Sequence, residues 1–225
     1  MDKYLEEVEK KAAILIDALT YIRDFSQKII VIEYGCSEWL SGMEEQKLMK
    51  DIVLLKSVGM YPVVVHDTRM GMDKFRENKR IAKLLELCGV KAIGVCGIDV
   101  QTLHMILDND YIPVIVPNDI DNESEYIDPK ETALEIAVRL GADKLIYLSK
   151  YPGIYIDESR KEVYPRLTVP AVRSLEKERN FPEGLRKILD FALLATEQGV
   201  NRVHMLDGRI RHVLLLEFFS VAGAG

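Results

Sequence analysis

The run Lys28-Ile-Ile-Val-Ile-Glu-Tyr-Gly-Cys-Ser37 has the form of a buried strand that ends in a glycine turn. Many α/β proteins use that arrangement to hold a phosphate on backbone amides. Its last charged residue is Glu33, a carboxylate where an anion would sit. Polar residues follow apolar runs at four further places: His66-Asp67-Thr68-Arg69, Gly97-Ile98-Asp99, Asn118 to Asp121, and Ser149-Lys150 with Gly153. Other chemistry-bearing residues do not assemble into a pattern. His104 and His212 have no serine or cysteine partner at a suggestive spacing, so a nucleophile triad has little support. Asp119, Asp121, Glu123 and Glu125 form an acidic stretch without the regular ligand spacing and glycine of a calcium loop, and read as a solvated loop; no metal site is expected. The three cysteines, Cys36, Cys88 and Cys96, are odd in number, lack metal-ligand spacing and follow no signal-peptide pattern, which points to a reducing, cytoplasmic setting.

Positioning these residues falls to short apolar runs closed by turn formers: "KIIVIEYG", "YPVVVHD", "KAIGVCG", "YIPVIVP", "KLIYLSKYPG" and "RVHMLDG". Between them lie helical patterns such as "EEQKLMKDIVLLKSVG", "NKRIAKLLELCG", "VQTLHMILDND" and "PKETALEIAVRLGA". Gly59, Gly89, Gly141 and Gly199 stand where helices stop. Regular alternation of this kind predicts an α/β fold, a three-layer αβα sandwich around a mostly parallel sheet. A long amphipathic pattern, with Leu5, Val8, Ala12, Leu15, Leu19 and Ile22 on one stripe, precedes the first strand. It predicts an N-terminal helix that either reaches a partner subunit or packs on its own domain.

With 225 residues, 48% hydrophobic and 29% charged, the chain can bury a full core. Thirty-six acidic residues against 30 basic ones leave a net charge of -6, so nothing favours nucleic acid. The longest apolar runs are too short, and too often broken by proline, to span a bilayer.

In order, the pieces "DALTYIRDFSQKIIVIEYG", "DIVLLKSVGMYPVVVH", "NKRIAKLLELCGVKAIGVCGID", "LDNDYIPVIVP", "ALEIAVRLGADKLIYLSKYPGI" and "GVNRVHMLDGRIRHVLLLEFFS" resemble the acetylglutamate kinases of the amino acid kinase family. The resemblance covers most of the chain. It implies residues 1–27 as an oligomerising helix, 28–117 as the lobe that holds acetylglutamate in the family, and 118–225 as the nucleotide lobe. In the family the γ-phosphoryl of ATP passes to a substrate carboxylate between the lobes.

Carried over position by position, the family's phosphoryl-contacting lysine is Glu33 here, and its glycines after the first strand are Gly35 and Cys36. The histidine and three glycines of its second phosphate loop read His66, Asp67, Thr68 and Arg69. The aspartate that organises the catalytic lysines is Lys130, a threonine-aspartate pair is Ser149-Lys150 with Gly153 beyond, and the second catalytic lysine falls at Ile188, beside Lys187. Substrate-side segments after His66 and after Asp99 are short. A carboxylate about 4 Å from a phosphate repels it by roughly 4 kcal/mol at an effective dielectric near 20. The resemblance therefore implies an acetylglutamate kinase-like protein without phosphotransfer activity, with no cofactor, acting as an oligomeric binding or regulatory subunit linked to arginine metabolism. Two other readings stay open: an active ATP- and magnesium-dependent kinase of acetylglutamate or a related small acid, and a structural subunit that co-assembles with a true kinase. A one-residue slip would hand the catalytic work to Lys28, Arg69 or Lys187.

Glu33 and Lys130 exchange the charges of two family positions that lie close together, so an ion pair between them is expected. Arginine-regulated members of the family form hexamers through the leading helix and hold arginine beside it. Tyr21, Lys161, His204, Glu217 and Gly223 fall at the matching positions, making a candidate site for a small amino-acid ligand. The competing reading packs Tyr21 on the sheet, satisfies His204 in the core and leaves Glu217 on the surface.

Overall fold

A computed structural model describes residues 2–35, 40, 42–68, 73–97, 99–117, 127–157, 159 and 162–219. The leading pattern is one helix, α1 (Asp2–Phe25). Strands and helices then alternate: β1 (Ile29–Tyr34), α2 (Gly42–Ser57), β2 (Tyr61–His66), α3 (Lys74–Leu87), β3 (Lys91–Cys96), α4 (Val100–Asp108), β4 (Tyr111–Val116), α5 (Pro129–Arg139) and β5 (Lys144–Ser149). A small antiparallel pair, β6 (Tyr155–Asp157) and β7 (Glu162–Val163), leads to α6 (Val169–Glu178), α7 (Glu183–Glu197), β8 (Arg202–Asp207) and α8 (Val213–Phe219).

Six strands form one sheet in the order β3-β4-β2-β1-β5-β8, every pairing parallel. Inner strands β1, β2, β4 and β5 are buried almost throughout, as apolar strands covered on both faces must be. One face carries α2, α3 and α8, around Ile32, Ile52, Leu85 and Phe218. The other carries α4, α5 and α7, around Val31, Leu103, Ala137 and Ile188. Pro113 leaves a mark on the sheet: β2 meets β4 only at Val64–Val114 and Val65–Ile115, just past the residue that has no amide proton to give.

Helix ends follow the local chemistry. Asp73, Asp99, Asp128 and Thr168 cap α3, α4, α5 and α6 by accepting from amides two or three residues on. Gly59 and Gly141 turn the chain after α2 and α5 at φ of +92° and +59°, a region that costs glycine nothing. Tertiary bonds lock the layers. Asn78 on α3 donates to the Val114 carbonyl at 2.8 Å, and it lies so close to β3 that a Cβ at Gly94 would stand 1.9 Å from its side-chain oxygen. Arg80 bridges α2 and α3, reaching Glu45 at 2.7 Å and Glu77 at 2.9 Å, both carboxylates buried. Tyr34 donates to Glu45 at 2.7 Å.

The helix α1 meets its own domain through its last turn, where Phe25 packs edge-on against Phe218 of α8 with centroids 5.2 Å apart. Tyr4, Leu5, Val8, Ile16 and Leu19 are exposed. Among the described residues no helix is long and apolar enough to cross a membrane.

Candidate functional site

Strand order reverses at β1: the chain leaves it toward β2 on one side and later returns through β5 on the other. Crevices at the carboxyl ends of strands flanking such a switch point are where open α/β sheets bind ligands. Glu33 lies there, in register with Val65 of β2 and Tyr147 of β5.

The expected ion pair is present. Lys130, in the first turn of α5, donates from Nζ to Glu33 Oε1 at 3.5 Å. The Glu33 side chain is 0% exposed and that of Lys130 is 19% exposed, so the carboxylate is covered and the lysine is the more exposed partner of the pair. This corrects the expected direct repulsion: the register of β1 sends Glu33 inward, beneath α5. Oε2 of Glu33 has no hydrogen-bond partner. Burial pushes Glu33 up to about 7; Lys130 counters this, while Asp67 and Asp128 reinforce it. Burial works against the charge of Lys130, yet Glu33, Asp128 and Asp67 hold its ammonium above the ordinary lysine value.

Asp128 has two duties. Its Oδ1 accepts from the Lys130 amide at 2.8 Å and its Oδ2 pairs with Lys187 of α7. Lys187 is 51% exposed, whereas its neighbour Ile188 is core; the lysine that reaches the cluster is thus one residue from the aligned position. Tyr147, buried beneath, donates to the Lys130 carbonyl at 3.3 Å, and burial raises its phenol far above the usual range. Gly35 is buried at the strand end. His66 is buried and neutral: Nδ1 donates to the Asp67 carbonyl at 3.0 Å, Nε2 accepts from Asn78 at 3.1 Å, and burial holds its pKa below the ordinary value. Asp67 accepts from the Thr68 amide at 2.7 Å. Ser149 accepts from the Tyr151 amide at 3.0 Å, and the Lys150 ammonium lies 5.6 Å from the Tyr151 ring. Cys36, Arg69, Lys161, Gly223 and the acidic stretch at 118–126 lie outside the described residues. Among those described, no three metal-ligating side chains gather.

A cavity lies elsewhere among the described residues, between the end of α1, α8 and the carboxy-terminal half of the sheet. It measures about 640 Å³ and is lined by Tyr21, His204 and Glu217, by Gly153, and by the segment 164–169. Two aromatic residues and a lysine that sequence reasoning did not single out complete it. Lys144, its side chain 2% exposed, donates to His204 Nε2 at 3.1 Å, lies 3.9 Å from Glu217, and sits over the rings of Phe25 and Phe218 at 5.0 and 5.4 Å. His204 Nδ1 is 2.8 Å from Glu217 Oε1. Burial lowers the Lys144 pKa, with Glu217 opposing. The Glu217 side chain is 5% exposed, set into the cavity wall rather than on the surface. A buried ammonium and a buried carboxylate on one wall offer a counter-charge to each end of an α-amino acid zwitterion. Asp128, like Lys144, was not singled out in the sequence, although an aspartate before proline is a helix-start signal. Lys144, at the start of a strand, carries no such signal.

Fold and site together define an αβα protein with a buried charge pair at a topological switch point. The chain belongs to the amino acid kinase family, whose model matches residues 77–207. Proteins named acetylglutamate kinase from Carboxydothermus hydrogenoformans and Campylobacter jejuni are 32% identical to it over 294 and 281 residues; the alignments take in 100% of this chain and 98% and 99% of the relatives. Both alignments are longer than the chain, so the relatives hold segments without counterpart here.

Among solved structures, N-acetylglutamate synthase from Neisseria gonorrhoeae, complexed with coenzyme A and N-acetyl-glutamate, superposes with a TM-score of 0.80 at 22% identity. The match covers 95% of this chain and 62% of that one. The same synthase complexed with coenzyme A and L-arginine gives 0.77. Giardia carbamate kinase gives 0.66 at 10% identity, covering 84% and 96%. These structural likenesses establish the fold.

Proposed function

We propose that this protein is an acetylglutamate kinase-type phosphotransferase whose positive charge has crossed the cleft, and that its second cavity binds an amino-acid effector of the arginine type. The observation that carries the first half is the Glu33–Lys130 pair, in which the lysine side chain is the more exposed of the two. Phosphoryl transfer is catalysed by positioning and by positive charge on the developing anion. An ammonium at the switch point satisfies that need whether it is delivered from β1 or from α5, and Lys187 brings a second one to the same cluster. The names of the full-length relatives support ATP as donor and the carboxylate of N-acetylglutamate, or of a related small acid, as acceptor. Magnesium would arrive on the nucleotide phosphates.

With ATP, magnesium and N-acetyl-L-glutamate, ADP release is expected to depend on the acid, and Lys130→Met is expected to lower kcat/KM by about a hundredfold to a thousandfold. Absence of acid-dependent ADP release overturns this reading.

A second reading is favoured by Asp67. Its carboxylate already accepts from the Thr68 amide, a backbone donor of the loop where the family cradles phosphate, so an internal anion stands in for the ligand. On this reading the protein is an inactive regulatory subunit, alone or beside a true kinase, in the reducing cytoplasm that its cysteine usage suggests.

The effector half is common to both readings. Glu217, Lys144 and the Phe25 and Phe218 rings match a cationic amino acid, and the arginine-bound synthase structure supports the choice of ligand. L-arginine at a hundred times its Kd should stabilise the protein by about 3 kcal/mol, read as a rise in Tm, and Glu217→Ala should remove the shift. A shift that survives Glu217→Ala, or none in the parent, overturns the assignment. The exposed apolar residues of α1 support self-association through that helix, and sedimentation of the same samples reads it.

A further inference from the structure

We propose that Glu33 is a proton-gated positioning residue: by taking up a proton it releases Lys130 to an oxyanion at the cleft mouth, so that anion binding and proton uptake are coupled. The inference deepens, and rests on, the reading of the cleft as an oxyanion site.

The geometry around Glu33 is that of a poorly satisfied carboxylate. Its side chain is 0% exposed, Oε2 has no partner, and Oε1 has one donor at 3.5 Å, the long limit of a hydrogen bond. Among the described residues, the elements around it contribute named groups. From α5 come Lys130 and the capping Asp128; from the end of β2 comes Asp67; from β5 comes Tyr147, whose hydroxyl is given to the Lys130 carbonyl instead; from α7 comes Lys187, held by Asp128. With Glu33 ionised, these groups hold one more carboxylate than ammonium. With Glu33 protonated, the two balance.

Burial already places the Glu33 titration close to neutrality, so the proton is exchanged at little cost in the physiological range. The side chain of Lys130 is 19% exposed, and an anion at the cleft mouth would compete with the Glu33 carboxylate for its charge. An anion that wins that competition leaves Glu33 buried without a counter-charge, and a carboxylate in that position binds a proton. The step is a plain protonation: the proton comes from solvent and settles on a Glu33 oxygen, and no bond to the anion is made or broken.

Sulfate tests this, because it stays a dianion across the range. Calorimetric titration at constant ionic strength is expected to show the sulfate Kd rising about tenfold between pH 6 and pH 8.5. Glu33→Gln should bind sulfate at least as tightly as the parent does at pH 6, with no pH dependence. In buffers of different ionisation enthalpy, the unaltered protein should take up about half a proton per sulfate near pH 7, a count that does not depend on any variant folding. A pH-independent Kd in the parent, no proton uptake, the same pH slope in Glu33→Gln, or no sulfate binding at all overturns the inference. Proton-linked sulfate binding without acid-dependent ADP release keeps it and removes phosphotransfer; ADP release without proton linkage does the reverse.

Discussion

Replacing Arg80 by methionine is expected to destabilise the protein by about 3–5 kcal/mol at pH 7, the usual cost of stripping a buried ion network of one partner. Methionine fills much of the space, so packing contributes little to the loss. What remains is electrostatic. Glu45 and Glu77, both buried, would face each other across α2 and α3 without the guanidinium that now forks between them. Burial opposes the arginine's charge, but the two carboxylates hold its pKa above the free value, which is the same attraction seen from the other side. Chemical denaturation measures the loss. The triple variant Arg80→Met, Glu45→Gln, Glu77→Gln should regain most of it, since removing all the charges together leaves nothing unpaired. A single-variant loss below about 1 kcal/mol would mean that solvent reaches these carboxylates.

The second large effect is on pH dependence. The pKa of Glu33 in the folded protein, about 7, lies above its unfolded value of 4.5. Between those values the folded state holds a proton that the unfolded chain has lost. Stability therefore falls as pH rises through this window, opposite to the behaviour of a carboxylate held down by a strong partner. Roughly 2.5 pH units at about 1.4 kcal/mol each amount to about 3 kcal/mol lost between pH 4.5 and pH 7. Glu33→Gln removes this dependence. The difference in unfolding free energy between variant and parent is thus expected to move in the variant's favour by about 3 kcal/mol from pH 4.5 to pH 8, measured by urea denaturation at each pH. A constant difference would show that Lys130 keeps Glu33 ionised throughout. Lys130, whose pKa is raised in the fold, adds stability that is present below the unfolded lysine value and is lost only at strongly alkaline pH.

Much of the scaffold was legible before any coordinates. The six sheet strands lie on the apolar runs, and the four inner ones are the plainest, because a strand buried on both faces must be apolar at nearly every position. The glycines Gly59 and Gly141 end helices as read, whereas the N-caps Asp73, Asp99, Asp128 and Thr168 were not picked out in advance, although their short acceptor side chains suit that place. The pairing of Glu33 with Lys130, 97 residues apart in sequence, was also legible, though only through the resemblance to relatives in which those two places carry the opposite charges. The β6–β7 hairpin was not foreseen: its strands are three and two residues long, too short for a period-two pattern to emerge.

The site was legible in part, and the unread part was the decisive one. Sequence placed Glu33 at a strand end and so appointed it the group a phosphate would meet. Alternation along a strand says that a residue points up or down, not what the next layer sets over it. The helix α5 sets Lys130 there and covers the carboxylate, so the group at the strand end is an ion pair rather than a bare Glu33. His66 survived the comparison with relatives, yet its ring is spent on Asn78 and the Asp67 carbonyl. In the second cavity Tyr21, His204 and Glu217 were named in advance, but Lys144 was not, since nothing in "ADKLIYLS" marks that lysine as buried between two phenylalanines.

By itself, then, the order of residues determined the strands, the helices, their caps and the parallel sheet that alternating units impose, all of which follow from contacts within a few residues or from burial on two faces. Tertiary structure alone decided which member of each long-range pair is covered and which is offered to solvent. That choice sets how strongly the charges of the Glu33–Lys130 and Glu217–Lys144 pairs act on each other, because the strength and reach of a charge depend on the layers packed around it.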